Sequence, residues 1–256
     1  MAQFSLKGRT ALVTGGSRGC GLAFAEGLAE AGADVAIFDI ISPSDAFNTI
    51  KDRFGIKTAY FNVDVSSAPA LESGFASLAA SFSPTLDICV ACAGINKNIP
   101  FLSTTAADLS QLLAVNVFGA YMTAQHAART MLANEPPRGR GGSIVLVASI
   151  AARGAIRTQS SSAYCGTKGA VAAMVAPMAA ELAPMGIRVN SLSPGYVRTE
   201  MTGPFPDLLA RWGEDIMVGR VAETEDLKGA CVFLAGDGSK YMTGHDLCID
   251  GGVTKW

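Results

Sequence analysis

Thr10-Ala-Leu-Val-Thr14-Gly15-Gly16-Ser17-Arg18-Gly19-Cys20-Gly21, read TALVTGGSRGCG, passes from an apolar β-rich run through glycines into LAFAEGLAEAG, an Ala/Leu-rich helical pattern. Glycines at 15, 19 and 21 permit a tight turn. They also let backbone N–H groups and a helix N-terminus come close to a pyrophosphate. Such a turn alone is weak evidence, but between a first strand and a first helix it reads as a phosphate-binding turn. Gly15, Ser17, Arg18, Gly19 and Gly21 are therefore candidate contacts to a dinucleotide.

Working outward, six more short apolar runs follow: DVAIFD (34–39), KTAYFNVD (57–64), LDICVACAG (86–94), SIVLVAS (143–149), IRVNSLSP (187–194) and DLCID (246–250). They are near-continuously apolar rather than alternating, the pattern of strands buried on both faces of a parallel sheet. The segments between them are long enough for right-handed crossover helices. The expected fold is a doubly wound α/β Rossmann fold, a seven-stranded parallel sheet with helices on both faces. No linker divides the 256 residues, so residues 1–256 read as one domain, with a nucleotide-binding half over about 1–150 and a catalytic half over about 143–256. The Pro/Gly/Arg-rich ANEPPRGRGG (133–142) reads as a solvated loop within the alternation.

The second run ends in Asp39, eighteen residues after Gly21. A carboxylate there can accept both adenosine ribose hydroxyls and would repel a 2′-phosphate, which favours NAD(H). Ile40 and Ile41 follow it, with no cation. Arg18 argues the other way, because a guanidinium can hold that phosphate, so NADP(H) is the alternative cofactor. Asp64 and Val65, closing the third run, can bracket the adenine, or Asp64 can cap the loop.

Ser162-Ala163-Tyr164-Cys165-Gly166-Thr167-Lys168-Gly169 starts another helix, with serines as N-cap candidates and GAVAAMVA behind. Positions i and i+4 share a helix face, so the tips of Tyr164 and Lys168 can point at one spot. Net charge of −2 gives no electrostatic footprint for nucleic acid or an acidic membrane. No apolar run approaches the roughly 20 residues of a membrane span. With no recognised signal or lipidation motif, the expected location is cytoplasmic. The six cysteines are scattered. Cys89 and Cys92 form a C-x-x-C inside a strand, where i and i+3 point to opposite faces, so the pair reads as buried and apolar rather than redox-active. The two histidines, His126 and His245, have no metal-ligand spacing, and no metal is expected.

TGxxxGxG at 14–21 and YxxxK at 164–168 are joined by Asn116 in AVNVFGA, Ser149 in LVASIAARG, Asn190 to Thr199 in NSLSPGYVRT, and the terminal TGHDLCIDGG. Together and in this order they resemble the short-chain dehydrogenase/reductase family, in the form of about 250 residues, over nearly the whole chain. The spacing around RGAIRTQSSS looks like the fungal polyol dehydrogenase and sugar (xylulose, sorbose) reductase branch. The resemblance implies an NAD(P)(H)-dependent oxidoreductase interconverting a secondary alcohol and a ketone. In it Tyr164 would be the general acid/base, Lys168 its activator and ribose ligand, Ser149 the stabiliser of the developing alkoxide, and Asn116 the anchor of a proton-relay water. Ala93, Gly94, Pro194, Gly195, Val197 and Thr199 would line the cofactor beside Tyr164 and Lys168. It also implies a homotetramer or dimer built on the helices carrying Asn116 and Tyr164 and on the Asp250-Gly251-Gly252 turn. Chemically, a phenol with a pKa of about 10 is a poor proton shuttle near neutrality, and nearby positive charge lowers that value. Alternatives are an isomerase, dehydratase or cyclase on the same site, or a non-enzymatic nucleotide-binding scaffold.

Three departures from the family pattern stand out. Ala91-Cys92-Ala93-Gly94 replaces the frequent Asn-Asn-Ala-Gly, whose asparagines usually brace the sheet. Many members carry the catalytic serine nearer the tyrosine, where Ala151 stands here, although SIAARG aligns on Ser149. Pro177 falls inside the Tyr164 helix and should kink it. For the substrate, an alcohol or ketone, Asn96, Arg157, Met201 and Trp212 are the candidate contacts, with Arg153 and Gln159 also close in sequence to the site. Residues 199–221 read as a lid, in which Leu208, Trp212 and Met217 either line a pocket or pack as an amphipathic helix.

Overall fold

The computed structural model describes residues 2–133, 141–156, 159–200, 202 and 206–256. Arg157 and Met201, as well as Arg138 and Arg140 of the Pro/Gly loop, lie outside them.

Seven parallel strands form one sheet: β1 (Thr10–Thr14), β2 (Asp34–Asp39), β3 (Thr58–Asn62), β4 (Ile88–Ala91), β5 (Gly142–Val147), β6 (Ile187–Pro194) and β7 (Asp246–Ile249). Their order is β3-β2-β1-β4-β5-β6-β7. The apolar runs became strands because both faces are covered: β1, β4 and β5 are buried throughout, whereas the edge strands β3 and β7 are only half-buried. From β1 the chain winds outward to β2 and β3, then crosses back to β4. The switch point lies between β1 and β4, where such sheets open a crevice at the strands' C-terminal ends.

Strand alternation sends Leu12, Phe38, Cys89 and Leu146 to one face. Against that face lie α3 (Ala68–Ser81), α5 (Ala120–Leu132) and α6 (Ser162–Leu182). Val13, Ile37, Val90 and Val145 face α1 (Gly19–Glu30), α2 (Asp45–Phe54) and α8 (Glu225–Ala235). Cys89 and Cys92 fall on opposite sides, as strand geometry requires. Among the described residues no group of acids, cysteines or histidines could hold a metal, and no helix is long and apolar enough to cross a membrane.

Local signals explain the helix ends. α4 (Ala106–Leu113) begins at a capping box in which Thr105 and Asp108 each bond the other's backbone N–H. Gly55 ends α2 at φ 67°. α4 runs into α5 through a π-helical turn, Ala114–Gly119, which holds Asn116. Such turns insert one residue into the helical ladder and often lie at functional sites. α6 runs through Pro177 to Leu182: the ring removes one donor but does not end the helix.

Candidate active site

The turn after β1 is built from close backbone approaches. Gly15 has φ 67°, and a Cβ there would lie 2.8 Å from Ala93 Cα. A Cβ on Gly21 would overlap the Gly15 carbonyl, so the first turn of α1 sits directly on the loop. Arg18, exposed, occupies the N-cap position without a side-chain cap, leaving the first amides of α1 to the crevice. Thr14 Oγ1 accepts the N–H groups of Cys92 and Ala93, each at 3.1 Å. This threonine joins β1 to the end of β4, next to the positions where the family asparagines are missing.

Asp39, at the end of β2, is knitted into the same turn. Its Oδ2 accepts from Ser17 N at 3.0 Å and its Oδ1 from Ile41 N at 3.2 Å, while Ser17 Oγ donates to the Ile41 carbonyl. A carboxylate held by two backbone donors keeps lone pairs for further hydroxyl donors. Asp64 caps its own loop, accepting the Ser66 N–H and hydroxyl. Val65 is buried beneath Gly119, where a Cβ would come within 2.8 Å of Val65 Cγ2.

The other wall is carried by β5, the π turn and α6. The Ser149 hydroxyl lies close enough to the Tyr164 phenol to favour its ionised form. Lys168 Nζ lies 5.8 Å from the Tyr164 ring centroid and donates to the Val147 carbonyl at 2.7 Å. Ser149 also accepts from Ala151 N at 3.1 Å, opening a short 3-10 turn, Ile150–Ala152. Ser149, rather than the position of Ala151, therefore meets the tyrosine. Asn116 is saturated: Oδ1 accepts from Ile95 N, and Nδ2 donates to the Ile95 carbonyl and to Thr167 Oγ1. A Cβ on Gly94 would lie 3.3 Å from Asn116 Oδ1 and 3.6 Å from Lys168 Nζ. Gly94, Asn116, Ser149, Tyr164 and Lys168 are thus brought together at the crevice.

Burial dominates the electrostatics. It pushes the Lys168 ammonium down to about 8 and the Tyr164 phenol up to about 12, the neighbouring Ser149 hydroxyl opposing the latter. In the protein alone, burial thus outweighs the lowering expected for the phenol from its chain position. The thiols of Cys20 and Cys92 lie within electrostatic reach of Lys168 and Tyr164. Burial pushes Cys20 up to about 11 and raises Cys92 further, so both are protonated thiols rather than nucleophiles. Sequence reasoning missed both as neighbours of the site, and missed Thr14 and Thr167; only the signal of a hydroxyl at a strand end or one residue before Lys168 was available.

On the β6 side, Gly195 N donates to the Ile249 carbonyl, and a Cβ there would lie 2.7 Å from Asp250 Cα. Val197 bridges Ala222, and Thr199 faces Gly19 across the crevice. The lid helix α7 (Pro206–Asp215) behaves as a packing element. Trp212 is 2% exposed and stacks on Tyr196, with ring centroids 4.3 Å apart, beside Leu209, Ile216 and Val221. Its ring is turned into the lid's own core, so the expected contact with substrate is replaced by packing. Leu208 joins this cluster, whereas Met217 is exposed against Gly252. Arg153 is tied to Asp246 at 2.7 Å, on the β7 edge. Asn96, half-buried after β4, has Oδ1 buried without a partner among the described residues.

A dinucleotide-type crevice faced by a serine, a tyrosine and a lysine defines a class of nucleotide-dependent oxidoreductases. The family model described as enoyl-(acyl carrier protein) reductase matches residues 15–254. Galactitol 2-dehydrogenase (L-tagatose-forming) of Cereibacter sphaeroides is 36% identical over 99% of this chain and 98% of its own length. A short-chain type dehydrogenase/reductase from Mycobacterium marinum superposes with a TM-score of 0.91 at 38% identity, covering 99% of this chain and 98% of that one. Gluconate 5-dehydrogenase from Burkholderia cenocepacia J2315, solved in complex with NADP and tartrate, has a TM-score of 0.89 at 32% identity, over 100% and 98% of the two chains. The chain belongs to the short-chain dehydrogenase/reductase family. It is an NAD(P)-dependent oxidoreductase of alcohol and ketone groups.

Proposed function

We propose that the enzyme interconverts a secondary alcohol and a ketone on a polyol, sugar or related hydroxylated molecule, with Tyr164 as general acid/base. The observation that carries this reading is the buried Lys168 ammonium 5.8 Å from the Tyr164 ring, with the Ser149 hydroxyl beside the same phenol. The turn fits a dinucleotide: α1 opens without a side-chain cap, its glycines admit close approach, and Gly94 leaves the space beside Asn116 and Lys168 clear of a Cβ. Gly15, Ser17, Arg18, Gly19 and Gly21 would hold the diphosphate, Asp39, Asp64 and Val65 the adenosine, and Ala93, Gly94, Pro194, Gly195, Val197 and Thr199 the nicotinamide half. When bound, the dinucleotide supplies the partner for hydride transfer and, in its oxidised form, a positive ring.

The rest of the chemistry belongs to the chain. Ser149 orients the Tyr164 hydroxyl and donates to the substrate oxygen as charge develops there, an effect of about 3–4 kcal/mol by analogy with oxyanion-hole donors. Tyr164 Oη gives its proton to that oxygen in reduction and removes it in oxidation. Lys168, buried and cationic, favours the phenolate and binds ribose. Asn116, fixed to Ile95 and Thr167, holds the backbone beside Lys168, where a relay water would reach solvent. Asn96 Oδ1, without a partner among the described residues, is the candidate acceptor for a substrate hydroxyl.

We assign NAD(H) as the preferred cofactor on Asp39 and the isoleucines after it. Arg18 and the relative solved with NADP support the alternative. We also propose a cytoplasmic homotetramer, or a dimer. An apolar groove of about 560 Å³ lined by Leu113, Val117, Phe118, Tyr121 and Met174 supports an interface on the π turn, α5 and α6. The deciding experiment follows a panel of polyols, sugars and ketones at the NADH absorbance band. Turnover supports the reading, isomerisation or dehydration without net redox change favours the alternative chemistry, and cofactor binding without any turnover favours a scaffold.

A further inference from the structure

The carboxylate of Glu200 stands at the mouth of the glycine-rich turn. A Cβ built on Gly19 would lie 3.5 Å from Glu200 Oε2 and 3.7 Å from Thr199 Cγ2. The chain leaving β6 therefore crosses the start of α1 with an acidic side chain on the crevice side. Gly19 is the first residue of that helix, at φ 54° and after an N-cap residue that makes no side-chain cap. The amide end of a helix attracts an anion. The Glu200 charge also reaches the Cys20 thiol in the first turn. Glu200 is exposed and has no ion pair among the described residues, so nothing neutralises it there.

We propose that Glu200 sets dinucleotide affinity by electrostatic competition: its carboxylate occupies the approach to the diphosphate seat and must swing aside when a diphosphate enters. The inference rests on the dinucleotide reading of the turn. Two anions near one helix end repel each other, and part of the attraction α1 offers the diphosphate is already spent on the side chain. The effect belongs to the diphosphate alone. It should be the same for NADH and NADPH, absent for adenosine, and weakened by salt, because the side chain is exposed.

The test is calorimetric titration of wild type, Glu200→Gln and Glu200→Lys with NADH, NADPH, ADP and adenosine at low and high ionic strength. Circular dichroism first establishes that each variant is folded. Glu200→Gln should bind NADH, NADPH and ADP about three- to tenfold more tightly at low salt, a range set by one partly screened unit charge. Glu200→Lys should bind them tighter still, adenosine affinity should not move, and the gain should shrink at high salt. Unchanged or weaker ADP binding by both variants overturns the proposal, as does an equal gain for adenosine. A wild type that binds NADH without any gain in the variants overturns this inference alone. A wild type that binds none of the nucleotides overturns the dinucleotide reading with it.

Discussion

Asn116 Nδ2 donates to Thr167 Oγ1 at 3.0 Å, and Thr167 Oγ1 in turn donates to the Tyr164 carbonyl at 2.8 Å. This pair clamps the π turn, and through Asn116 the loop at Ile95, to the second turn of α6, one residue before Lys168. Both residues are buried, at 1% exposure each, so neither can exchange its partner for water. Breaking the pair leaves an unsatisfied polar group, which costs about 1–3 kcal/mol. Asn116→Ala and Thr167→Val should each lower denaturant stability by that amount and reduce kcat. The double variant should lose less than the sum, by about 0.5–3 kcal/mol, the mark of direct coupling. Thr167→Ser should retain both properties. Urea melts and turnover on the four proteins check this.

The Tyr164 hydroxyl acts on substrate, so Tyr164→Phe should abolish most of kcat while leaving NADH affinity nearly unchanged. Ser149→Ala should cost less, about 100- to 1,000-fold, because it removes one donor and leaves the proton path open. Lys168→Ala should damage both kcat and NADH affinity. In the oxidation direction its kcat should recover partly at high pH, as the phenol ionises unassisted. Steady-state kinetics and NADH titration separate the three patterns, and wild-type turnover by folded Tyr164→Phe removes the tyrosine from the mechanism.

Lys168 also carries a stability cost. Burial pushes it from 10.5 down to about 8, so the folded state disfavours its charged form. A depressed folded value means that stability rises as pH climbs from about 8 to 10.5, where the folded protein has lost the proton and the unfolded chain still binds it. The gap corresponds to on the order of 3 kcal/mol at neutral pH. Lys168→Met should therefore melt higher than wild type at pH 7, by less than this because the bond to Val147 is lost, and the advantage should fade above the lysine's ordinary range. Tyr164 acts in the opposite sense. Raised from 10.0 to about 12, it contributes stability that is present below 10 and lost as pH rises through 12. Thermal melts across pH on wild type and Lys168→Met test both limbs.

Asp39 and its isoleucines motivate a cofactor prediction. Wild type should bind NADH more tightly than NADPH, and Asp39→Ala with Ile40→Arg should reverse the order. Asp39 also holds Ser17 N and Ile41 N, so Asp39→Ala alone should loosen the turn and weaken both cofactors. Equal or better use of NADPH by wild type moves the weight to Arg18.

Phe118 of the π turn and Tyr121 of α5 are exposed and line the groove that Met174 of α6 closes. Sedimentation should find a homotetramer at micromolar concentration, and Tyr121→Glu should dissociate it by placing a charge on the apolar face. A wild-type monomer refutes the assembly.

Local pattern was enough to read the sheet. Each of the seven apolar runs became a strand, because a strand covered on both faces needs no partner-specific signal beyond continuous apolarity and punctuation. The glycines at 15, 19 and 21 and the Tyr164–Lys168 spacing were legible for the same reason: φ freedom and helical periodicity are properties of neighbouring residues. What required the tertiary structure was every contact between residues far apart in the chain. That Ser149 rather than position 151 meets Tyr164 depends on where β5 ends against α6. The π turn holds Asn116 where its side chain bonds both Ile95 and Thr167, residues far from it in sequence. Trp212 has the same amphipathic surroundings whether it faces a substrate or Tyr196, and only packing turned it inward. Glu200 and Gly19 are separated by most of the chain, and no periodicity links them; the chain leaving β6 past the start of α1 brings the Glu200 carboxylate beside Gly19.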